Sequence, residues 1–209
     1  ADIEGHDACR KICILASLAF GRHIYPRQVP TEGITGVTLA DVAYADSCGK
    51  KLKLLGRAIR RTDGKVCAYV APHLVDRENP LSGVEDVFNA IAVRGTAIGD
   101  VMFYGKGAGE LPTASACVAD VMECLQASPR REEIGWAADT TGFVDPEQLR
   151  TRYYFRIEGS LTDAAMAFGQ VEVLSEDGET AFLTDAISGQ DAADQSQRLN
   201  VLACMRVLA

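Results

Sequence analysis

Two apolar-rich runs, KLKLLGRAIRR and KVCAYVAPHLV, stand on either side of a turn containing Asp63-Gly64. An Asp-Gly pair between such runs is the strongest short-range hairpin signal, because its glycine accepts the positive φ that a tight turn between twisted strands demands. The centre of the chain is thereby committed to antiparallel pairing, and the remaining segments must cover it. The lysines and arginines of the first run read as a solvated strand face in preference to a phosphate-binding patch. A second pair of runs, VFNAIAVRG and DVMFYG around TAIG, repeats the pattern. An antiparallel or mixed sheet with helices packed on one face is the expected arrangement.

Residues 5–20 read as a helix, apolar on nearly all sides from Ile12 to Phe20 and therefore expected to be buried. After a loop with Pro26 and Pro30, TLADVAYADSCG reads as a second helix, with Thr38 as its N-cap and Gly49 just past its end. GKGAG leads into a third, ELPTASACVADVMECLQAS, with Pro112 near its first turn. Its residues Ala114, Cys117, Val118, Val121, Met122 and Leu125 form a wide apolar stripe that needs a partner surface. SPRREEIGWAADTTGFVDPEQL is charged and aperiodic, which predicts a linker. Beyond it come a strand (YYFRIEG), a helix (SLTDAAMAFG) and two strands (QVEVLSE and TAFLTDAI) joined at Asp177-Gly178. A helix (DAADQSQRLNVLA) and a closing strand (CMRVLA) complete the chain. That order, βαββαβ, is the ferredoxin-like plait. The expected class is α+β, with a first domain at 1–127, a linker at 128–150 and a small plait at 151–209.

Apolar residues make up 47% and charged residues 24%, the balance of a soluble globular protein. A formal net charge of −8 gives no attraction for phosphate backbones, so neither nucleic acid nor an anionic membrane is an expected partner. No apolar run has the length to cross a bilayer, and the acidic opening does not read as a signal peptide. The seven cysteines are scattered without CxxC or Cys/His ligand spacing. They read as reduced, mostly buried thiols of a cytoplasmic protein, with no metal site.

The chemistry concentrates in ADIEGHDACRK. Asp7 and Lys11 are four residues apart and share a helix face, with Asp2 just upstream. A surface ion pair near a helix N-terminus explains them adequately. Against that, a lysine at the mouth of a helix apolar all round is a candidate proton donor whose surroundings tune it. In GKGAG the glycines serve either a tight turn, the preferred reading, or close approach of a ligand to backbone N–H groups. The spacing is not the GxGxxG dinucleotide fingerprint.

Together these segments resemble homoserine dehydrogenase. DIEGHDACRK fits that family's Asp-aliphatic-x-Gly-x-Asp-x-x-x-Lys signature at every fixed position. ILASLAFG, GIT, CGKKLKLLGRA, NPLSGVEDVFNAI and GKGAGELPTASACVADV follow in the family's order, covering residues 2 to about 126. The resemblance implies a catalytic and dimerisation domain in which Lys11 transfers the proton, Asp7 is its partner carboxylate and Asp2 helps hold the substrate's amino group. It further implies that Gly107, Ala108 and Gly109 approach an NAD or NADP cofactor. The helix after them would dock on a nucleotide-binding domain. The implied reaction interconverts L-homoserine and L-aspartate 4-semialdehyde, in a homodimer. Since the family's enzymes open with a Rossmann domain, the chain is expected to be a C-terminal fragment, inactive alone. RYYFRIEG is similar to the first strand of an ACT module, but GSLTDAAM replaces the usual Asp-x-Pro-Gly loop. Two rival expectations are a non-catalytic dimerising protein that binds a small molecule such as an amino acid, and an ACT-like tail sensing threonine.

Overall fold

The Asp63-Gly64 turn closes a long hairpin. In a computed structural model, which describes residues 1–126, 136–137 and 142–208, β1 (Lys50–Arg60) runs antiparallel to β2 (Val66–Asp76), from Lys50 opposite Asp76 to Arg60 opposite Val66. Alternate side chains of a strand point to opposite faces, and both faces of β2 are covered, so nearly all of it is buried. Val66, Ala68 and Val70 pack against Cys9, Cys13 and Ala16 of α1 (His6–Phe20). Leu74 packs with Ala45 of α2 (Leu39–Ser47). On the other face Cys67, Tyr69 and Ala71 meet Val144. Thr38 caps α2 as the sequence predicts, its backbone N–H donating to the Asp41 carboxylate at 2.8 Å in a capping box.

The chain divides into two compact units, Ala1–Arg77 with Gly135–Ala209, and Glu78–Ile134. The second holds a separate hairpin, β3 (Phe88–Gly95) with β4 (Gly99–Lys106), and α3 (Glu110–Gln126). α3 has no buried residue: Leu111, Val118, Val121, Met122 and Leu125 are all exposed.

The C-terminal part of the first unit adds β5 (Arg150–Thr151), β6 (Tyr153–Glu158), α4 (Leu161–Phe168), β7 (Val171–Ser175), β8 (Thr180–Thr184), β9 (Ile187–Ser188), α5 (Gly189–Ser196) and β10 (Asn200–Val207). β5 and β9 make a two-residue pairing of their own. The others complete one six-stranded sheet in the order β1-β2-β10-β6-β8-β7. Within it, β10-β6-β8-β7 is antiparallel throughout, with α4 and α5 packed on one face through Ala164 and Ala192. This is the predicted plait. β10 joins it to the hairpin by lying parallel to β2, Arg206 opposite His73.

The structure departs from the sequence reading at four places. α1 is buried on one side only: Ile14 and Leu18 are exposed, because the helix lies on one face of the hairpin. Asn200–Ala203 belong to β10 and not to the preceding helix, since Asn200 and Val201 pair with Glu158 and Ile157; a short apolar run does not declare its own period. Cys117 and Cys124 are exposed on α3, whereas Cys9, Cys13 and Cys67 are buried; all seven thiols are free. Part of the predicted linker lies outside the described residues, but 142–149 is held firmly. The Val66 N–H donates to the Gly142 carbonyl at 2.8 Å, and the Val144 N–H to the Val66 carbonyl at 2.9 Å.

One buried network ties α2 to the plait. The fully buried Asp41 carboxylate accepts from the Tyr154 hydroxyl and from Arg156 Nε, each at 2.8 Å, and Arg156 also reaches Glu179 at 2.7 Å. Burial pushes the Asp41 carboxyl up, but the hydrogen bonds from Arg156, Thr38 and Tyr154 outweigh it and hold the group below its ordinary value. Asp41→Ala leaves the guanidinium buried with Glu179 as its only paired carboxylate, and the expected loss in urea denaturation is about 3 kcal/mol or more. The double variant Asp41→Leu/Arg156→Met should recover much of that loss; equal stabilities for wild type and Asp41→Ala would show that the pair holds nothing.

His73 is buried as a neutral ring. Its Nδ1–H donates to the Ala71 carbonyl at 2.9 Å, leaving Nε2 to accept from the Tyr69 hydroxyl at 3.2 Å. Burial, aided by the Arg57 and Arg206 charges, lowers its pKa from 6.5 to about 4. Between those values the unfolded chain binds a proton that the folded chain refuses. The residue's contribution is therefore complete above pH 6.5 and is lost as pH falls towards 4. The shift corresponds to on the order of 3 kcal/mol. His73→Gln should flatten the stability-pH slope over that window, and an unchanged slope would refute the assignment.

Candidate active site

The segment ahead of α1 is fixed by its backbone. The Gly5 N–H donates to the Asp2 carbonyl at 3.0 Å, and Gly5 itself sits in the left-handed region with φ 78°, ending the turn and starting the helix. The Ile34 N–H donates to the Ile3 carbonyl at 2.7 Å. Where these two segments meet, a Cβ on Gly33 would lie 2.3 Å from the Ile3 oxygen, so only glycine fits. The GIT stretch thus has a physical reason: it is the surface on which the Asp2–Gly5 turn is laid.

Asp7 and Lys11 meet as the spacing predicts, with Nζ 2.7 Å from Oδ2. Their side chains are 44% and 57% exposed, so the expectation of a lysine confined at the mouth of a buried helix is corrected. Because α1 rests on the hairpin through Cys9, Cys13 and Ala16, residues 7 and 11 fall toward solvent. What the geometry provides is a lysine amine paired with a carboxylate one helical turn away. Asp2 is exposed in the turn that leads into the same helix.

Gly107, Ala108 and Gly109 lie in the other compact unit, between β4 and α3. Gly107 is required by packing, since a Cβ there would come within 2.2 Å of the Asn89 amide nitrogen. At Gly109 φ is 120°, and its carbonyl accepts from the Thr113 hydroxyl at 2.8 Å. At Ala108 and Gly109 the segment carries no side chain larger than the Ala108 methyl. Among the described residues no group of three or more His, Cys, Asp or Glu side chains is placed to hold a metal ion. Nor is any described helix long and apolar enough to cross a membrane.

The sequence reading missed two arginines of the sheet, Arg156 buried and Arg206 largely covered. Arg156 anchors the Asp41 network, and Arg206 pairs with Glu147 at 2.7 Å while lying over the Tyr69 and Tyr153 rings. Each was signalled by a lone arginine within an apolar strand run, YYFRIEG and CMRVLA, a position a charge occupies only with a partner.

By its fold the molecule is an α+β protein whose mixed sheet runs into a terminal plait. A model of the homoserine dehydrogenase family matches residues 1–122, and the chain belongs to that family. It is 38% identical over 186 residues to the homoserine dehydrogenase of Pseudomonas aeruginosa, covering 85% of this chain and 42% of that one. The Mycobacterium leprae enzyme is 40% identical over 189 residues, covering 83% of this chain and 42% of its own. Among solved structures, a homoserine dehydrogenase from Thiobacillus denitrificans superposes with a TM-score of 0.83 at 28% identity, over 99% of this chain and 54% of that one. The S. aureus enzyme at pH 7.0 gives 0.77 at 34% identity, over 100% of this chain and 54% of its own. The chain thus spans less than half the length of these curated relatives.

Proposed function

We propose that this chain supplies the proton-transfer and substrate-holding part of a cytoplasmic homoserine dehydrogenase that interconverts L-homoserine and L-aspartate 4-semialdehyde in threonine, methionine and isoleucine biosynthesis. The observation that carries the reading is the Asp7–Lys11 pair at 2.7 Å, set within the family's signature at the start of α1. NAD or NADP, when bound, supplies or accepts the hydride, and Gly107–Gly109 is the stretch of this chain suited to approach it. Lys11 holds a proton at Nζ for the oxygen that becomes the alcohol of homoserine, and takes it back in the reverse direction. Asp7 keeps the lysine charged and aimed. Asp2 contributes a carboxylate toward the substrate's ammonium group.

The exposed apolar side chains support two assembly contacts. Ile91, Val93, Met102 and Phe103 of the β3–β4 hairpin suit a homodimer, and the stripe on α3 suits docking on a nucleotide-binding domain. The plait at 151–209 serves as an ACT-like module.

In a chain extended in its natural frame to the length of its relatives, Lys11→Met should lower homoserine-dependent NAD(P)H formation by about 10²–10⁴-fold. Because the pair is exposed, the same change should alter stability by no more than about 0.5 kcal/mol. A folded extended chain that is inactive even as wild type would favour the non-catalytic binding protein; full activity in Lys11→Met would remove the lysine from its role. Light scattering at micromolar concentration should give twice the 22.4 kDa chain mass. Phe103→Asp should reduce it, and a monomeric wild type would overturn the dimer.

A further inference from the structure

The turn that carries Asp2 is held by its backbone. The Ala1 carbonyl accepts the His6 N–H at 3.0 Å, the Asp2 carbonyl the Gly5 N–H at 3.0 Å, and the Ile3 carbonyl the Ile34 N–H at 2.7 Å. Only the last of these three bonds leaves the turn, and it lands beside Gly33. There the two backbones touch: a Cβ on Gly33 would stand 2.3 Å from the Ile3 oxygen and 2.6 Å from the Glu4 Cα. A methyl at position 33 must therefore push one backbone away by on the order of 1 Å to reach ordinary contact.

Their anchoring decides which one yields. Residues 30–32 are bonded to β2, where Val70, 1% exposed, donates its N–H to the Pro30 carbonyl at 2.9 Å and accepts the Glu32 N–H at 2.8 Å. Ala1–Glu4 are exposed. Gly5 behind them is buried beside Thr31 and Val70, and it opens α1, which packs on the hairpin through Cys9, Cys13 and Ala16. The turn therefore moves about Gly5 and carries Asp2 with it, while Lys11 stays where α1 holds it.

We propose, on the basis of the homoserine dehydrogenase reading, that Gly33 is a positioning residue. By letting the Ile3–Glu4 backbone lie directly on it, Gly33 sets where the Asp2 carboxylate stands and so how strongly the substrate's ammonium group is held. A charge-assisted contact of this kind is short, so a displacement of about 1 Å removes most of it. Recognition of the amine then depends on the 31–34 segment, and proton transfer on α1.

The test is steady-state kinetics on the chain extended in its natural frame to the length of its relatives. L-Homoserine is the substrate, and 4-hydroxybutanoate, which is homoserine without the ammonium group, is the competing ligand. Gly33→Ala should raise KM for L-homoserine about tenfold or more, the loss of one charge-assisted contact, with kcat within about threefold. The pH profile of kcat should not move. The Ki of 4-hydroxybutanoate should also stay within about threefold, a contrast that lost stability alone would not produce. In an Asp2→Asn background the same change should add no more than about twofold, because the contact it acts through is already gone. Gly36→Ala, where a Cβ meets nothing within 4 Å, controls for stiffening of the loop and should leave both constants as in the parent. Coupling is reciprocal, so in the wild-type chain saturating L-homoserine, and not 4-hydroxybutanoate, should slow hydrogen exchange at the Ile34 amide. That readout decides the matter if Gly33→Ala does not fold. A wild type inactive on L-homoserine would overturn the dehydrogenase reading and the role of Gly33 together. An active wild type in which Gly33→Ala leaves KM alone, or weakens both ligands alike, would overturn the role of Gly33 only.

Discussion

The ion pair between Asp41 and Arg156 joins residues 115 positions apart with almost no exposure of either partner. Neither charge is tolerable alone in that place, since an unpaired buried ion carries a desolvation penalty of several kcal/mol. α2 can therefore sit over the sheet only if β6 presents its arginine there, and β6 can bury that arginine only if α2 is in place. Tyr154 and Thr38 complete the shell, Tyr154 donating its hydroxyl to the same carboxylate. With α2 and β6 fixed to each other, β10 is left to lie between β6 and β2. The parallel match of Arg206 to His73 makes one sheet of the hairpin and the plait.

Local signals made much of this legible in advance. Asp63-Gly64 announced the hairpin, Thr38 announced the start of α2, and the order of strand and helix runs after residue 150 announced the plait. These features act over a few residues, so a single chain displays them. The joining of β10 to β2 could not be read, because strand partners 133 positions apart leave no mark in either run (Arg206 minus His73). The burial of α1 was overread for a related reason. Its composition is apolar all round, but the face it buries is decided by the surface available, and of its residues Cys9, Cys13, Ala16 and Ser17 are buried. The end of the last helix was misplaced because NVLA fits either period, and pairing with Glu158 and Ile157 settled it.

At the candidate active site the residue types and spacing were legible, and their environment was not. An i,i+4 Asp and Lys on a helix must meet, whatever surrounds them. Whether they meet in solvent or in a pocket depends on surfaces that the first helix does not encode. The glycines divide in the same way. Gly33 is glycine because a backbone oxygen occupies the place of its Cβ, a constraint from thirty residues upstream (Gly33 minus Ile3). Gly107 lies against the Asn89 side chain, so its role is packing, whereas a Cβ at Gly109 would meet only Pro112 at ordinary contact distance.

The segment 31–34 links β2 to the turn that carries Asp2. The Val70 carbonyl accepts the Glu32 N–H at 2.8 Å, the Val70 N–H donates to the Pro30 carbonyl at 2.9 Å, and the Ile34 N–H reaches the Ile3 carbonyl at 2.7 Å. The backbone of Gly33 supports the turn that carries Asp2 and starts the helix bearing Asp7 and Lys11. β2 thus anchors residues 30–32 by backbone hydrogen bonds, and Ile34, two residues further on, bonds the turn at 2–5.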